Sequence, residues 1–71
     1  AYRQARTLYE QIGYRLGQAH VSLSEAHMAE SRGDSELACI AFAEAGRIYG
    51  AIGLVYRENH CDQERSRLDC S

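Results

Sequence analysis

Proline, tryptophan and lysine are all missing from this 71-residue sequence. Without proline, nothing in the chain forbids a helix interior. All eight basic residues are arginine, and ten acidic residues outweigh them to give a net charge of -2. A chain with this balance lacks the excess of basic residues that is typical of proteins that bind nucleic acid. It also has no apolar run near the roughly 18 residues of a membrane span, and we expect no signal peptide. We therefore expect neither nucleic acid nor membrane as a partner.

Cysteine is scarce and irregularly spaced, at Cys39, Cys61 and Cys70. Three cysteines without the regular spacing of a disulfide-rich protein are not typical of a fold held together by disulfides. If the last segment is helical, Cys61 and Cys70 lie about 13 Å apart at roughly 1.5 Å per residue, which is too far for a disulfide. These features predict reduced thiols and a cytoplasmic protein.

The apolar residues are concentrated in residues 38–53. The whole chain is 45% hydrophobic and 25% charged, which is typical of a globular protein, and its length allows one small domain of marginal stability. Spacings of three and four place one group on a single helical face: Ala38, Ala41, Phe42, Ala45, Tyr49 and Ile52. Ile40, Ala43 and Ile48 widen the apolar surface. Since such a helix has neighbours on more than one side, we predict that it forms the core.

Glycine divides the helical pattern. Gly13, Gly33 and Gly53 stand 20 residues apart, and each follows a helical stretch. Glycine in that position supplies the left-handed cap that ends a helix. Asp34 or Ser35 can cap the helix that follows Gly33. We therefore predict four helices, at residues 2–12, 15–32, 34–52 and 54–70.

Residues 1–20 and 41–60 form an internal repeat with a period of 40 residues. The six identical pairs are Ala1 and Ala41, Ala5 and Ala45, Tyr9 and Tyr49, Ile12 and Ile52, Gly13 and Gly53, and His20 and His60. Stacked repeats bury their faces only between neighbours, so about three are normally needed. The single domain is then a half repeat at 1–13, a full repeat at 14–53, and a half repeat or capping helix at 54–71. We expect either a piece of a longer solenoid or a subunit that completes its core by association.

With this helix-turn-helix repeat, the sequence resembles the tetratricopeptide repeat family in its 40-residue variety. The residues that carry the resemblance are Ala38, Phe42 and Ala45 after the Gly33-Asp34 turn, Tyr2 and Ala5, and the linker-like segment 12–19. The resemblance implies an all-α fold of antiparallel helix-turn-helix repeats, a right-handed α-solenoid of about four helices. It also implies a scaffold function in protein binding.

One helix departs from the family pattern. The family's inward-facing positions would fall on Ser22 and Glu25, which are polar. The periodicity of the segment itself favours a different inward face, formed by Leu16, Ala19, Leu23 and Ala26. The two alternatives predict different rotations of this helix.

The sequence contains no convincing pattern for catalysis or metal binding. His20 and His27 are two helical turns apart, about 10.5 Å, so one zinc ion about 2 Å from each nitrogen does not bridge them unaided. Gly46 and Gly50 lie within a helical pattern, which favours close helix packing over a phosphate-binding loop. No nucleophile elbow surrounds the serines. We expect no enzyme activity, no metal and no cofactor.

In the tetratricopeptide family, the first helix of each unit lines a concave groove that holds a peptide or a partner helix. The resemblance assigns this face to His20, Leu23, His27, Glu30, His60, Gln63 and Arg67. These side chains suit recognition of a polar or charged peptide, so the expected partner is a protein or peptide. The plain alternative is an ordinary solvated helix face.

A second functional hypothesis is a small helical bundle that oligomerises and acts as an assembly subunit, with a metal or thiol role at Cys61. The polar segment 54–70 and the short chain favour this hypothesis, whereas the 40-residue repeat favours the scaffold. A regulatory helical domain of a larger protein is compatible with the scaffold. Self-association or neighbouring repeats would cover the faces that one short chain leaves open.

Overall fold

The computed structural model describes the backbone of residues 2–70 and the side chains of residues 7, 8 and 10–70. All regular structure in this part of the chain is helical: α1 (Tyr2–Ser31), α2 (Ser35–Ala51) and α3 (Val55–Arg67). The molecule measures 47 × 19 × 14 Å, and its long axis reflects the 30 residues of α1. Among residues 2–70, no helix combines the length and the apolar character needed to cross a bilayer.

The helix break predicted at Gly13 is absent, so three helices replace the predicted four. α1 runs through Gly13, which does not have the positive φ of a helix cap. A break there would create two new helix ends with unpaired backbone N–H and C=O groups. A glycine inside a helix costs only about 1 kcal/mol relative to alanine, so the continuous helix is favoured. Residues 2–13 are therefore the first part of a longer helix.

The other two predicted caps are confirmed. Gly33 and Gly53 have φ values of +79° and +83°, in the left-handed region where glycine is favoured. At the start of α2, Asp34 is the capping residue, because its Oδ1 accepts a hydrogen bond of 3.1 Å from the backbone N–H of Leu37. This bond satisfies one of the free N–H groups at the helix start.

α2 lies between α1 and α3 and supplies most of the core, as residues 38–53 predict. Two buried clusters line its length, one formed by Ala26, Ala29, Ala38, Ala41 and Phe42, and the other by Ala19, Ala45, Ile48, Tyr49 and Cys61. Late residues of α1 meet early residues of α2, so the two helices are antiparallel. The alanines let the helix axes approach closely, and the large rings of Phe42 and Tyr49 fill the space between them.

The inward face of α1 follows its own periodicity and not the family pattern. Ala19 and Ala26 are fully buried, and Leu16 and Leu23 pack against the clusters. Glu25, which the family pattern would turn inward, is exposed. The repeat and family positions Ala1, Tyr2, Ala5 and Tyr9 lie outside the side chains that the structure describes.

Cys39 and Cys70 form a disulfide with their Cα atoms 5.8 Å apart, so the prediction of reduced thiols is wrong for these two cysteines. The antiparallel packing of α2 and α3 brings the start of one helix beside the end of the other, which spacing along the chain does not reveal. Cys61 is free and fully buried. Burial raises the pKa of its thiol, and Asp62 and Glu64 raise it further, so little of the thiolate needed to attack the disulfide is present.

Candidate functional site

α1 and α3 both pack against α2, and within residues 2–70 their backbones do not come close to each other. They therefore leave a trough, here called the α1–α3 groove, with α2 as its floor. The rings of Tyr49 and Phe42 form the floor, since they contact side chains from the flanking helices. The walls are His20, His27 and Glu30 on α1, and Arg57, Glu64 and Arg67 on α3. His60 stands one helical turn before Glu64 on the same side of α3 and lowers the pKa of that carboxylate.

One end of the groove is organised around Tyr49. Its ring is fully buried, and its hydroxyl oxygen is 2.7 Å from Nδ1 of His20. When the imidazole is neutral with its proton on Nε2, the hydroxyl donates this hydrogen bond. The guanidinium of Arg57 lies 5.6 Å from the ring centre on the α3 side, which is a cation–π distance. Burial raises the pKa of Tyr49, so the hydroxyl stays neutral.

The other end of the groove is organised around Phe42. His27 meets the buried Phe42 ring edge to face, with ring centres 5.4 Å apart. Nδ1 of His27 is also 4.0 Å from a carboxylate oxygen of Glu30, one turn later on α1. The imidazole therefore lies between an aromatic floor and an acidic wall.

Arg67 joins the two walls of the groove. Its guanidinium donates to Glu30 on α1, and it also donates to Glu64 on α3 through Nη2 at 2.6 Å and Nε at 3.2 Å. The hydrogen bond from Arg67 lowers the pKa of Glu64, with smaller contributions from the charges of Arg67, His60 and His27. The two carboxylates hold the pKa of Arg67 above its usual range. These groups form a bridge of charges across the groove.

The predicted site residues do not all have the same role in the structure. His20, His27, Glu30 and Arg67 lie on the walls of the groove, and His60 lies one helical turn before Glu64 on α3. Leu23 packs against both core clusters and so supports the fold. Gln63 is exposed on α3, and no interaction ties it to the groove.

Four groove residues are not among those predicted from the sequence: Phe42, Tyr49, Arg57 and Glu64. The sequence predicts a core role for Phe42 and Tyr49, and both rings are fully buried, Phe42 beneath His27 and Tyr49 beneath His20 and Arg57. Glu64 stands three residues before Arg67, a spacing that places oppositely charged side chains together on a helix. That spacing is the signal in the sequence for the charged bridge.

A second surface feature lies on the other side of the α1–α2 pair. This outer groove has a volume of about 840 Å³ and is lined by Gly13, Tyr14, Arg15, Gly17, Gln18, Val21, Ser22, Glu44, Arg47, Ile48 and Ala51. Ser22 is two residues from His20, a rotation of about 200° around the helix, so the two grooves face different directions. None of the predicted site residues lines the outer groove.

The described side chains contain no group of three or more His, Cys, Asp or Glu residues arranged to hold a metal ion. No family model matches the chain, and neither a curated protein nor a solved structure matches it. The resemblance to the tetratricopeptide repeat family consequently depends on the residues of this sequence.

Proposed function

We propose that the chain is a protein-interaction module of tetratricopeptide-like, right-handed solenoid architecture with no catalysis of its own. In this proposal, the α1–α3 groove receives a peptide or a helix of a partner protein. One observation carries the proposal most directly: the backbones of two helices flank a third without approaching each other, and polar side chains from both helices lie between them, above two buried aromatic rings. A groove of this form suits an extended or helical segment laid along it.

The side chains of the groove suggest the chemistry of the partner. The rings of Phe42 and Tyr49 are fully buried beneath the side chains of the walls, so a partner would contact the wall side chains and not the rings themselves. The walls carry two arginines, two glutamates and two histidines, so neither charge sign dominates at neutral pH. Arg67 already bonds two carboxylates, and a partner carboxylate would take the place of Glu30. Exposed ion pairs are worth about 0–1 kcal/mol, so this exchange costs little.

The disulfide bears on where this interaction takes place. Structural disulfides persist in oxidising compartments and are reduced in the cytoplasm of most cells. The cytoplasmic location expected from the sequence depended on reduced thiols, and the disulfide removes that argument. The proposed setting is one that keeps Cys39 and Cys70 oxidised.

Selection of peptides from a display library, followed by calorimetry of the selected peptide, tests the proposal. We expect the double variant His27→Ala/Arg67→Ala to bind at least about tenfold more weakly than the parent, which corresponds to about 1.4 kcal/mol. Arg47→Ala is the matched control, because Arg47 forms the same type of exposed pair with a glutamate three residues before it but lies on the outer side of α2. Binding that is equally sensitive to both variants, or to neither, would refute the groove as the site and favour an ordinary solvated face.

A further inference from the structure

The three helices of the described chain end with the same pattern of backbone hydrogen bonds. At each end, a backbone N–H just past the helix donates a hydrogen bond of 2.9 Å to the carbonyl five residues earlier, from Asp34 to Ala29, from Leu54 to Tyr49 and from Cys70 to Arg65. The residue before each donor has a positive φ, as this type of helix end requires. In α1 and α2 that residue is a glycine, Gly33 or Gly53. In α3 it is Asp69, with a φ of +59°.

The end of α3 is the least favourable of the three. A left-handed backbone is less favourable for aspartate than for glycine. Among residues 65–70, Leu68 packs against a core cluster, while Arg67 contributes an exposed ion pair, which is worth little. Nε of Arg65 is buried, and no group in the part of the chain that the structure describes accepts a hydrogen bond from it, which disfavours the docked turn. Only this helix end carries a disulfide, and the bond starts at Cys70, directly after the left-handed residue.

We propose that the Cys39–Cys70 disulfide is a redox latch, which a dithiol reductant opens to release residues 65–70 from α2 while the rest of the three helices stays folded. In the first step, a thiolate of the dithiol forms a mixed disulfide with one cysteine and releases the other. The second thiol of the reductant then breaks the mixed disulfide. Two electrons and two protons pass from the dithiol to Cys39 and Cys70, which become thiols, and the dithiol becomes a disulfide.

The latch is accessible to such a reductant. Cys39 and Cys70 are partly exposed and line an open surface groove of about 450 Å³. Cys61, in contrast, is fully buried in the other core cluster. Because exchange requires a thiolate that can reach the disulfide, the structure admits an external dithiol as the reductant and not Cys61.

The latch also positions Arg67, which stands three residues before Cys70. The guanidinium of Arg67 donates to Glu30 on α1 and to Glu64 on α3. With the disulfide closed, this side chain is held across the α1–α3 groove, and release of the last turn breaks the bond to Glu30. One consequence rests on the proposed function, in which Arg67 pairs with a carboxylate of the partner. The oxidised chain should then bind the partner more tightly than the reduced chain.

Amide hydrogen exchange of the full chain, followed by NMR before and after reduction with dithiothreitol, tests the proposal. The amides of Gly33, Gly53 and Asp69 donate matching hydrogen bonds of 3.0–3.1 Å to the carbonyl three residues earlier, so the two glycines are internal controls. We expect reduction to lower the protection of the Asp69 amide at least about tenfold more than that of either glycine amide. Equal loss at all three ends, or loss of helical circular dichroism, would mean that reduction loosens the whole fold and would overturn the proposal. Unchanged protection at Asp69 would overturn it as well.

Substitution of Asp69 tests why this helix end needs a latch. Asp69→Gly and Asp69→Ala both remove the carboxylate, but only glycine adopts the left-handed backbone at no cost. In the reduced state, we expect the Leu68 amide to be protected at least about fivefold better in Asp69→Gly than in Asp69→Ala. Equal protection in the two variants would remove the physical reason for the latch and overturn the proposal.

Calorimetry of the display-selected peptide in both redox states measures the effect of the latch on binding. We expect the reduced chain to bind about two- to fivefold more weakly, since one exposed charge pair is lost. A peptide that binds equally tightly in both states, while exchange at Asp69 responds to reduction, overturns the control of the groove by the latch and leaves the proposed function intact. Binding that ignores the groove variants refutes the proposed function, and hydrogen exchange still decides whether the latch opens.

Discussion

Reduction of the Cys39–Cys70 disulfide should lower the free energy of unfolding by about 4 kcal/mol. The bond joins residues that are 31 apart in sequence, and closing a loop of this length removes about that much conformational entropy from the unfolded chain. At roughly 0.05–0.15 kcal/mol per residue, a chain of this size has only about 4–11 kcal/mol of stability in total. We therefore expect reduction to lower the melting temperature by about 15–30 °C.

Urea unfolding followed by circular dichroism, with and without a phosphine reductant, measures this effect. The Cys39→Ser/Cys70→Ser variant should match the reduced parent and should not respond to the reductant. Cys61→Ala is the control, because it keeps the disulfide and should respond as the parent does. Thiol labelling of the unreduced chain in denaturant should find one free thiol, that of Cys61.

Two results would refute this reasoning. Three reactive thiols in the unreduced, denatured chain would mean that the disulfide does not form. A stability change below about 1 kcal/mol on reduction would mean that the loop adds little entropy to the unfolded state, for example because α2 and α3 remain associated there.

Three smaller perturbations test the local structure. Gly13→Ala should stabilise the chain by about 0.5–1 kcal/mol in urea unfolding at low concentration, because α1 is continuous there, whereas Gly33→Ala should destabilise it by about 1–2 kcal/mol through its positive φ. Destabilisation by Gly13→Ala would instead indicate a helix end. Asp34→Ala should cost about 1 kcal/mol and Ser35→Ala much less, since Asp34 caps α2; equal losses would refute that assignment. Because Arg67 lowers the pKa of Glu64, this carboxylate stabilises the fold above the pKa of an unfolded glutamate, about 4.3, and the contribution is lost as the pH falls through the lower folded value. Carbon-13 NMR titration should place the Glu64 midpoint below that of unfolded glutamate, and Glu64→Gln should remove less than about 1 kcal/mol of stability at neutral pH; an unshifted midpoint would contradict the pairing.

The features of the fold that depend on residues close together in the sequence could be predicted. The apolar density of residues 38–53 predicts a helix with neighbours on two sides, and α2 lies between α1 and α3. Glycine after a helical stretch predicts the caps at Gly33 and Gly53. The spacing of Leu16 and Ala19 predicts the inward face of α1 correctly, where the family pattern does not.

Gly13 shows how a local signal fails when a larger free-energy cost opposes it. Its sequence context resembles that of Gly53, yet only Gly53 has a positive φ. α3 turns back along a continuous face of α2 after Gly53. Residues 2–13 instead continue α1 without a break. The free-energy cost of two new helix ends favours this unbroken helix.

The disulfide and most of the groove depend on contacts between residues far apart in sequence. Cys39 and Cys70 are 31 residues apart, Tyr49 and His20 are 29 apart, and Arg67 and Glu30 are 37 apart. Periodicity reports which residues share a helix face, but not which faces meet. Periodicity therefore places His20, His27 and Glu30 on one face of their helix, and only the resemblance to the tetratricopeptide family implies that His60 and Arg67 share a groove with them. Neither indicates the aromatic and acidic partners of these residues.

Chemical-shift mapping of a display-selected peptide on the isotopically labelled chain tests the proposed function most directly. The proposal predicts that the largest shifts occur at His20, His27, His60 and Arg67, with the Tyr49 and Phe42 rings affected beneath them. Shifts centred on Gln18, Ser22 and Arg47 would place binding in the outer groove and contradict the proposal.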